Sequence, residues 1–81
     1  MDRVTANLAA VHPGGRNVAL NQAAWTLGRW IAVGALDQSQ VEDQLFAAAT
    51  ENGLVKDDGQ RQAWATIRSG LGAGLRSPLE D

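Results

Sequence analysis

The chain has 81 residues, 44% of them hydrophobic and 20% charged, with no cysteine and a net charge of −2. A chain this short builds one small core, and lacking cysteine it has neither a disulfide staple nor a thiolate metal site. No apolar run approaches the roughly 20 residues of a membrane span, "MDRVTANLAAV" lacks the pattern of a secretory signal, and an acidic balance argues against a freestanding polyanion binder. The expectation is one domain over residues 1–78, a short acidic tail at 79–81, no membrane partner and a cytoplasmic setting.

No segment alternates apolar and polar residues over the length of a strand, whereas four segments repeat at helical spacing. The fold class is therefore all-α, a compact four-helix bundle-like small domain. The first predicted helix, about residues 2–11, places Val4, Leu8 and Val11 on one face. "HPGG" ends it, because Pro13 disfavours helix in the residue before it and the glycines break the period. The second, about 18–33, starts after Asn17 as the N-cap. Its main stripe is Leu20, Ala23, Ala24, Leu27, Trp30 and Ile31, and Asn21, Trp25, Gly28 and Ala32 form a second stripe. Two stripes mark a central helix packed on both sides. Gly28 lets another backbone come close, at a cost of ~1 kcal/mol in helix propensity.

The third predicted helix begins near Asp37 or Ser39, where "SQVE" has the form of a capping box with Glu42 reaching back. Val41, Leu45, Ala48 and Ala49 face the core. "ENGL" ends it, with Gly53 suited to the left-handed position and Leu54 folding back onto the last turn. "KDDGQ" supplies the next cap from Asp57 or Asp58, and the fourth helix runs to about residue 75 with Trp64, Ile67, Leu71 and Leu75 as its stripe. Gly70, Gly72 and Gly74 weaken its end, which fits either tight packing or a mobile terminus.

Charge is unevenly distributed. Residues 1–36 sum to +2, residues 37–58 to −5 and residues 59–76 to +3, and the tail adds −2. A fold that brings the two basic flanks together shows a local positive face on an acidic protein.

Little here supports catalysis. His12 is the sole histidine, too little for a zinc site and poorly placed for a Ser-His-Asp triad. "HPGGRN" lacks the Lys-Ser/Thr of a P-loop, and Asp57 and Asp58 read as helix caps rather than cation ligands. "GGRN" is more informative: unpaired amides at a helix mouth, with Arg16 beside them, form an anion cradle that glycines let a phosphate approach. The same residues also read as a plain asparagine cap with a surface arginine. Arg68 borders the apolar stripe of the last helix, where it either snorkels or is held by a buried acceptor. Trp25 is placed either to stack on a base or to pack the core; Trp30 and Trp64 read as core.

Taken together, "GGRN" at 14–17, "LNQAA" at 20–24, "LG" at 27–28 and "TIRSGL" at 66–71 carry a resemblance. Over about residues 3–78 the chain resembles the small helical module on the C-terminal side of bifunctional primase-polymerases of actinobacteria, their phages and plasmids. The resemblance implies a non-catalytic accessory domain in DNA replication, with Arg16, Asn17, Asn21, Arg68 and Ser69 on phosphates or base edges and Trp25 as a stacking surface. It implies binding of single-stranded template DNA or a nucleotide, weak in isolation, beside a polymerase or helicase domain of the same or a neighbouring protein. The catalytic carboxylates and metal ligands of the polymerising domain have no counterpart, so the expectation is no enzyme activity, no metal and no cofactor. Whether the chain is an excised domain or a freestanding protein stays open. The alternative is a docking or dimerisation module, such as a phage protein acting on a replication or host partner or pairing as a homodimer.

Overall fold

The computed structural model describes residues 2–9 and 15–77, and no strand occurs among them. Its elements are α1 (Asp2–Ala9), α2 (Arg16–Ala32), α3 (Gln38–Glu51), the single turn α4 (Leu54–Asp58) and α5 (Gln60–Leu75). The all-α expectation holds. The break expected at "HPGG", with His12, lies outside the described residues, as does Val11.

The molecule is organised around α2 and α5, its most extensive helix pair. Asn17 meets Thr66, and one and two turns further on Asn21 faces Gly70 and Trp25 faces Gly74. Both helices advance by four residues per contact, so they run parallel, and α3 with α4 carries the chain back between them. The contact is backbone to backbone. A Cβ on Gly70 would lie 2.5 Å from the Asn21 carbonyl oxygen and 2.7 Å from the Ala24 Cβ, and one on Gly28 would lie 2.7 Å from the Leu71 carbonyl oxygen. Of the expected second stripe only Gly28 is buried against α5, together with Ala24 and the backbone of Asn21 and Trp25, while the Asn21, Trp25 and Ala32 side chains are exposed; Gly70 and Gly74 of α5 serve close packing.

α2 also buries Leu20 and Leu27 in the core, with Val41, Leu45 and Ala49 of α3 and with Leu54, Ile67 and Leu71. The largest fully buried side chains among the described residues are Leu20, Leu27, Leu45, Leu54, Ile67, Leu71 and Val41, each contributing about 1.5–3 kcal/mol relative to exposure. Trp64 packs on the rim of this core, stacked on Phe46 with ring centroids 4.7 Å apart and planes 8° from parallel. Trp30, expected in the core, is 44% exposed, and Val33 beyond it 47%. Among the described residues, Val4, Leu27, Ala35 and Leu36 line the groove beside the Trp30 ring.

Helix ends depart from local sequence logic in three places. The second helix starts two residues earlier than expected, after Gly15, with no side-chain cap; Asn17 lies in its first turn, and its Oδ1 accepts the Thr66 hydroxyl at 2.7 Å. In α3 the cap is Asp37, whose Oδ2 accepts the Gln40 amide at 3.0 Å. The Ser39–Glu42 capping box does not form, because Glu42 accepts from the Gln38 side chain instead. Asp57 and Asp58 belong to α4 and cap nothing; α5 begins after Gly59 without a side-chain cap. At the end of α3 the expectation holds: Gly53 takes φ 88°, and Leu54 turns back into the core, 1% exposed.

Candidate functional site

Arg16 is not at an open helix mouth. It is 9% exposed, its Nη1 donates to the Asn52 carbonyl at 2.8 Å, and its Nη2 donates to Asp57 Oδ2 at 2.7 Å. Asn52 in turn donates through Nδ2 to the Leu8 carbonyl and accepts the Leu54 amide on Oδ1. One guanidinium therefore joins the start of α2 to the last carbonyls of α3 and to α4, and Asn52 extends the join to α1. The expected phosphate contact of Arg16 is corrected on this ground: its two terminal nitrogens are committed to internal acceptors, one a carboxylate that would repel an incoming anion.

The other expected site residues divide into two groups. Asn17, Asn21 and Ser69 come together in an open groove of about 500 Å³ between α2 and α5, with Val18, Gln22, Gln62, Ala65 and Thr66 completing its lining. Trp25 lies beyond Asn21 on the exposed side of α2, 37% exposed; the Arg29 guanidinium sits over its ring at 4.8 Å, and Arg29 Nε donates to the Ser77 carbonyl at 2.8 Å. Arg68 is exposed and lies over the Trp64 ring, 6.0 Å from its centroid, so of the two expected dispositions it takes the surface one. The gathering of Arg16 and Arg68 around one cradle does not occur.

The groove has an unusual chemistry for a polyanion site, since none of its lining side chains is charged. Four carboxamides and two hydroxyls face it. Asn17 and Thr66 are occupied with each other, whereas Asn21, Gln22, Gln62 and Ser69 make no side-chain hydrogen bond with another described residue. A carboxamide presents a donor and an acceptor side by side, and unoccupied ones in a groove suit a neutral ligand edge offering the complementary pair.

Charge is supplied from the borders. Neither α2 nor α5 contains an aspartate or glutamate, while Arg29 on α2, Arg61 and Arg68 on α5 and Arg76 at its C-cap stand free of any ion pair with a described residue. Arg61 and Arg68 share α5 with the groove residues Gln62 and Ser69, and Arg29 and Arg76 lie about two turns beyond the groove at the C-terminal ends of α2 and α5. Asp37, Glu42, Asp43, Glu51 and Asp58 belong to the α3–α4 side. The packing of α2 on α5 thus converts the charge blocks of the sequence into a basic layer and an acidic layer. Gln22, Gln62, Arg29, Arg61 and Arg76 were not singled out from the sequence; the signal was there in the absence of acidic residues from both helices, but only the parallel α2–α5 contact unites them.

Among the described residues no cluster of three His, Cys, Asp or Glu side chains is arranged to hold a metal, and no helix is long and apolar enough to cross a membrane. No protein-family model matches the chain, nor does any curated protein or solved structure. The reading of the site rests on its own chemistry.

Proposed function

We propose that the protein is a non-catalytic helical module that holds single-stranded DNA across the α2–α5 layer, with arginines on the phosphates and the amide groove toward the bases. The observation that carries this reading is that α2 and α5 hold no acidic residue, while Arg29, Arg61, Arg68 and the C-cap Arg76 make no ion pair with a described residue, on the same two helices whose carboxamides Asn21, Gln22 and Gln62 line an open groove. Such an arrangement offers phosphate neutralisation and base contact at once, which is how single strands are held. Trp25, partly exposed beyond Asn21, adds an aromatic surface on which a base stacks once the Arg29 guanidinium over its ring moves to a phosphate. An accessory role beside a polymerase or helicase domain in replication, with a nucleotide as the other ligand, is supported by the resemblance to primase-polymerase modules carried by the motifs quoted above.

The test is a titration of fluorescently labelled oligo-dT by anisotropy at about 50 and 200 mM salt. Binding that weakens steeply with salt, and weakens further in Arg68→Ala, supports the reading; absence of binding at the lower salt overturns it.

A second reading, docking onto another protein or a second copy, draws on the exposed Trp30 and Val33 at the end of α2. It no longer draws on Gly28, which packs against the α5 backbone. Light scattering of the wild type and of Trp30→Gln tests it, a dimer lost in the variant being the supporting result.

A further inference from the structure

We infer that Asn52 is a site of spontaneous deamidation gated by α1: its carboxamide reacts with the Gly53 amide when α1 releases it, and the acid that results no longer holds α1 in place. The chain has asparagines at 7, 17, 21 and 52. Leu8, Val18 and Gln22 follow the first three, and only Asn52 precedes a glycine, whose amide nitrogen carries no neighbouring side chain to hinder its approach to the carboxamide carbon. Asparagine is a thermolabile residue through this reaction. Asn52 and Gly53 are both partly exposed, so water reaches them.

The reaction needs no reagent but water. The Gly53 nitrogen gives its proton to solvent and bonds to Asn52 Cγ; the Cγ–Nδ2 bond breaks and Nδ2 leaves as ammonia, taking up a proton. Water then opens the cyclic imide at either carbonyl, leaving aspartate or isoaspartate. The fold withholds each participant. Asn52 Nδ2 donates to the Leu8 carbonyl at 3.0 Å, and its Oδ1 accepts the Leu54 amide at 3.0 Å. The Gly53 amide donates to the Thr50 carbonyl at 3.2 Å. Of these bonds only the one to Leu8 reaches a distant element. α1 is 8 residues long, too short to be helical on its own, so it opens as a unit when its packing is lost. The product has no Nδ2–H, so the Leu8 carbonyl loses its donor and faces a carboxylate.

The experiment incubates the full chain at mildly alkaline pH in increasing urea and follows, by mass spectrometry of the tryptic peptide 30–56, the mass gain of an amide turned acid. That peptide contains no asparagine besides Asn52, and isomerisation at Asp58–Gly59 lies outside it and changes no mass. The expected reaction is about ten-fold or more slower in buffer than in the urea-unfolded chain, each factor of ten corresponding to ~1.4 kcal/mol of opening. Its urea dependence is shallower than that of global unfolding, because only α1 opens. Leu8→Ala, which truncates a buried α1 anchor, accelerates it; where that variant does not fold, the wild-type urea dependence decides. Asn52→Asp raises deuterium exchange in α1 and not in α5. Equal rates in buffer and in urea, a urea dependence as steep as that of global unfolding, an unchanged rate in folded Leu8→Ala, or unchanged α1 exchange in Asn52→Asp overturns the inference.

Discussion

The guanidinium of Arg16 and the carboxylate of Asp57, 41 positions apart in the chain, meet at 2.7 Å with unequal exposure, 10% for the arginine side chain and 54% for the aspartate. The asymmetry separates two contributions. Removing Asp57 breaks a half-exposed ion pair, of the kind worth less than ~1 kcal/mol. Removing Arg16 also orphans the Asn52 carbonyl that ends α3, and a hydrogen bond from a charged donor to such a group contributes about 1.5–3 kcal/mol. Arg16→Met should therefore destabilise the protein markedly more than Asp57→Ala in urea denaturation. Equal losses would mean that the ion pair, not the carbonyl, is the stabilising contact.

The seam between α2 and α5 makes an opposite prediction for neighbouring glycines. A Cβ on Gly74 meets the Trp25 carbonyl oxygen and Gly28 Cα, and neither is a flexible side-chain end; on Gly72 it meets nothing closer than the Arg76 guanidinium at 3.6 Å. Gly72→Ala should raise the melting temperature, by the ~0.4–1 kcal/mol that alanine gains over glycine inside a helix. Gly74→Ala and Gly70→Ala should lower it, because backbone must separate to admit the methyl group, at about 1–3 kcal/mol for overpacking. Thermal melts of the three single variants decide it.

How much of this was legible in the sequence follows from where each interaction is closed. The core stripes of α2, α3 and α5 repeat at helical period and were readable, as was the left-handed Gly53, since both are fixed within a few residues. The approach at Gly28 was also legible, because a glycine inside a helical stripe loses propensity unless something packs there. The start of α2 was not: Asn17 has the chemistry of a cap, but the Thr66 hydroxyl, 49 residues away, competes for its oxygen and wins. Arg16 misled for the same reason. Beside Gly-Gly at a helix start it looks poised for an anion, and only the return of α3 and α4 brings a carbonyl and a carboxylate within its reach. Trp30 belongs to the right stripe but lies where the stripe outruns its neighbours.

The start of α3 gives a test of competing local signals. Asp37 and Ser39 are both good caps by residue type, and the structure uses Asp37, which accepts the Gln40 amide. Asp37→Ala should cost about 1 kcal/mol, the usual loss of an N-cap. Ser39→Ala, inside the first turn, should be neutral or slightly stabilising because alanine is the better helix former. Urea midpoints for the two variants give the answer, and a larger loss at Ser39 would favour the Ser39–Glu42 capping box over the Asp37 cap.

The separation of structural from binding arginines is measurable in the salt dependence of DNA affinity. Each phosphate neutralised by a cation contributes about 0.7 to the slope of log K against log salt for a single strand. Arg61→Ala, Arg68→Ala and Arg76→Ala alter exposed side chains, and each should lower that slope by somewhat less than ~1 while leaving the fold intact. Arg29→Ala should do the same and in addition uncover the Trp25 ring on which its guanidinium rests, raising the accessibility of indole fluorescence to acrylamide. Arg16→Met, held at a temperature where it remains folded, should leave the slope unchanged, because that guanidinium is already neutralised by Asp57 inside the protein. A slope that falls with Arg16 and not with the α5 arginines would move the phosphate path to the start of α2 and away from the α2–α5 layer.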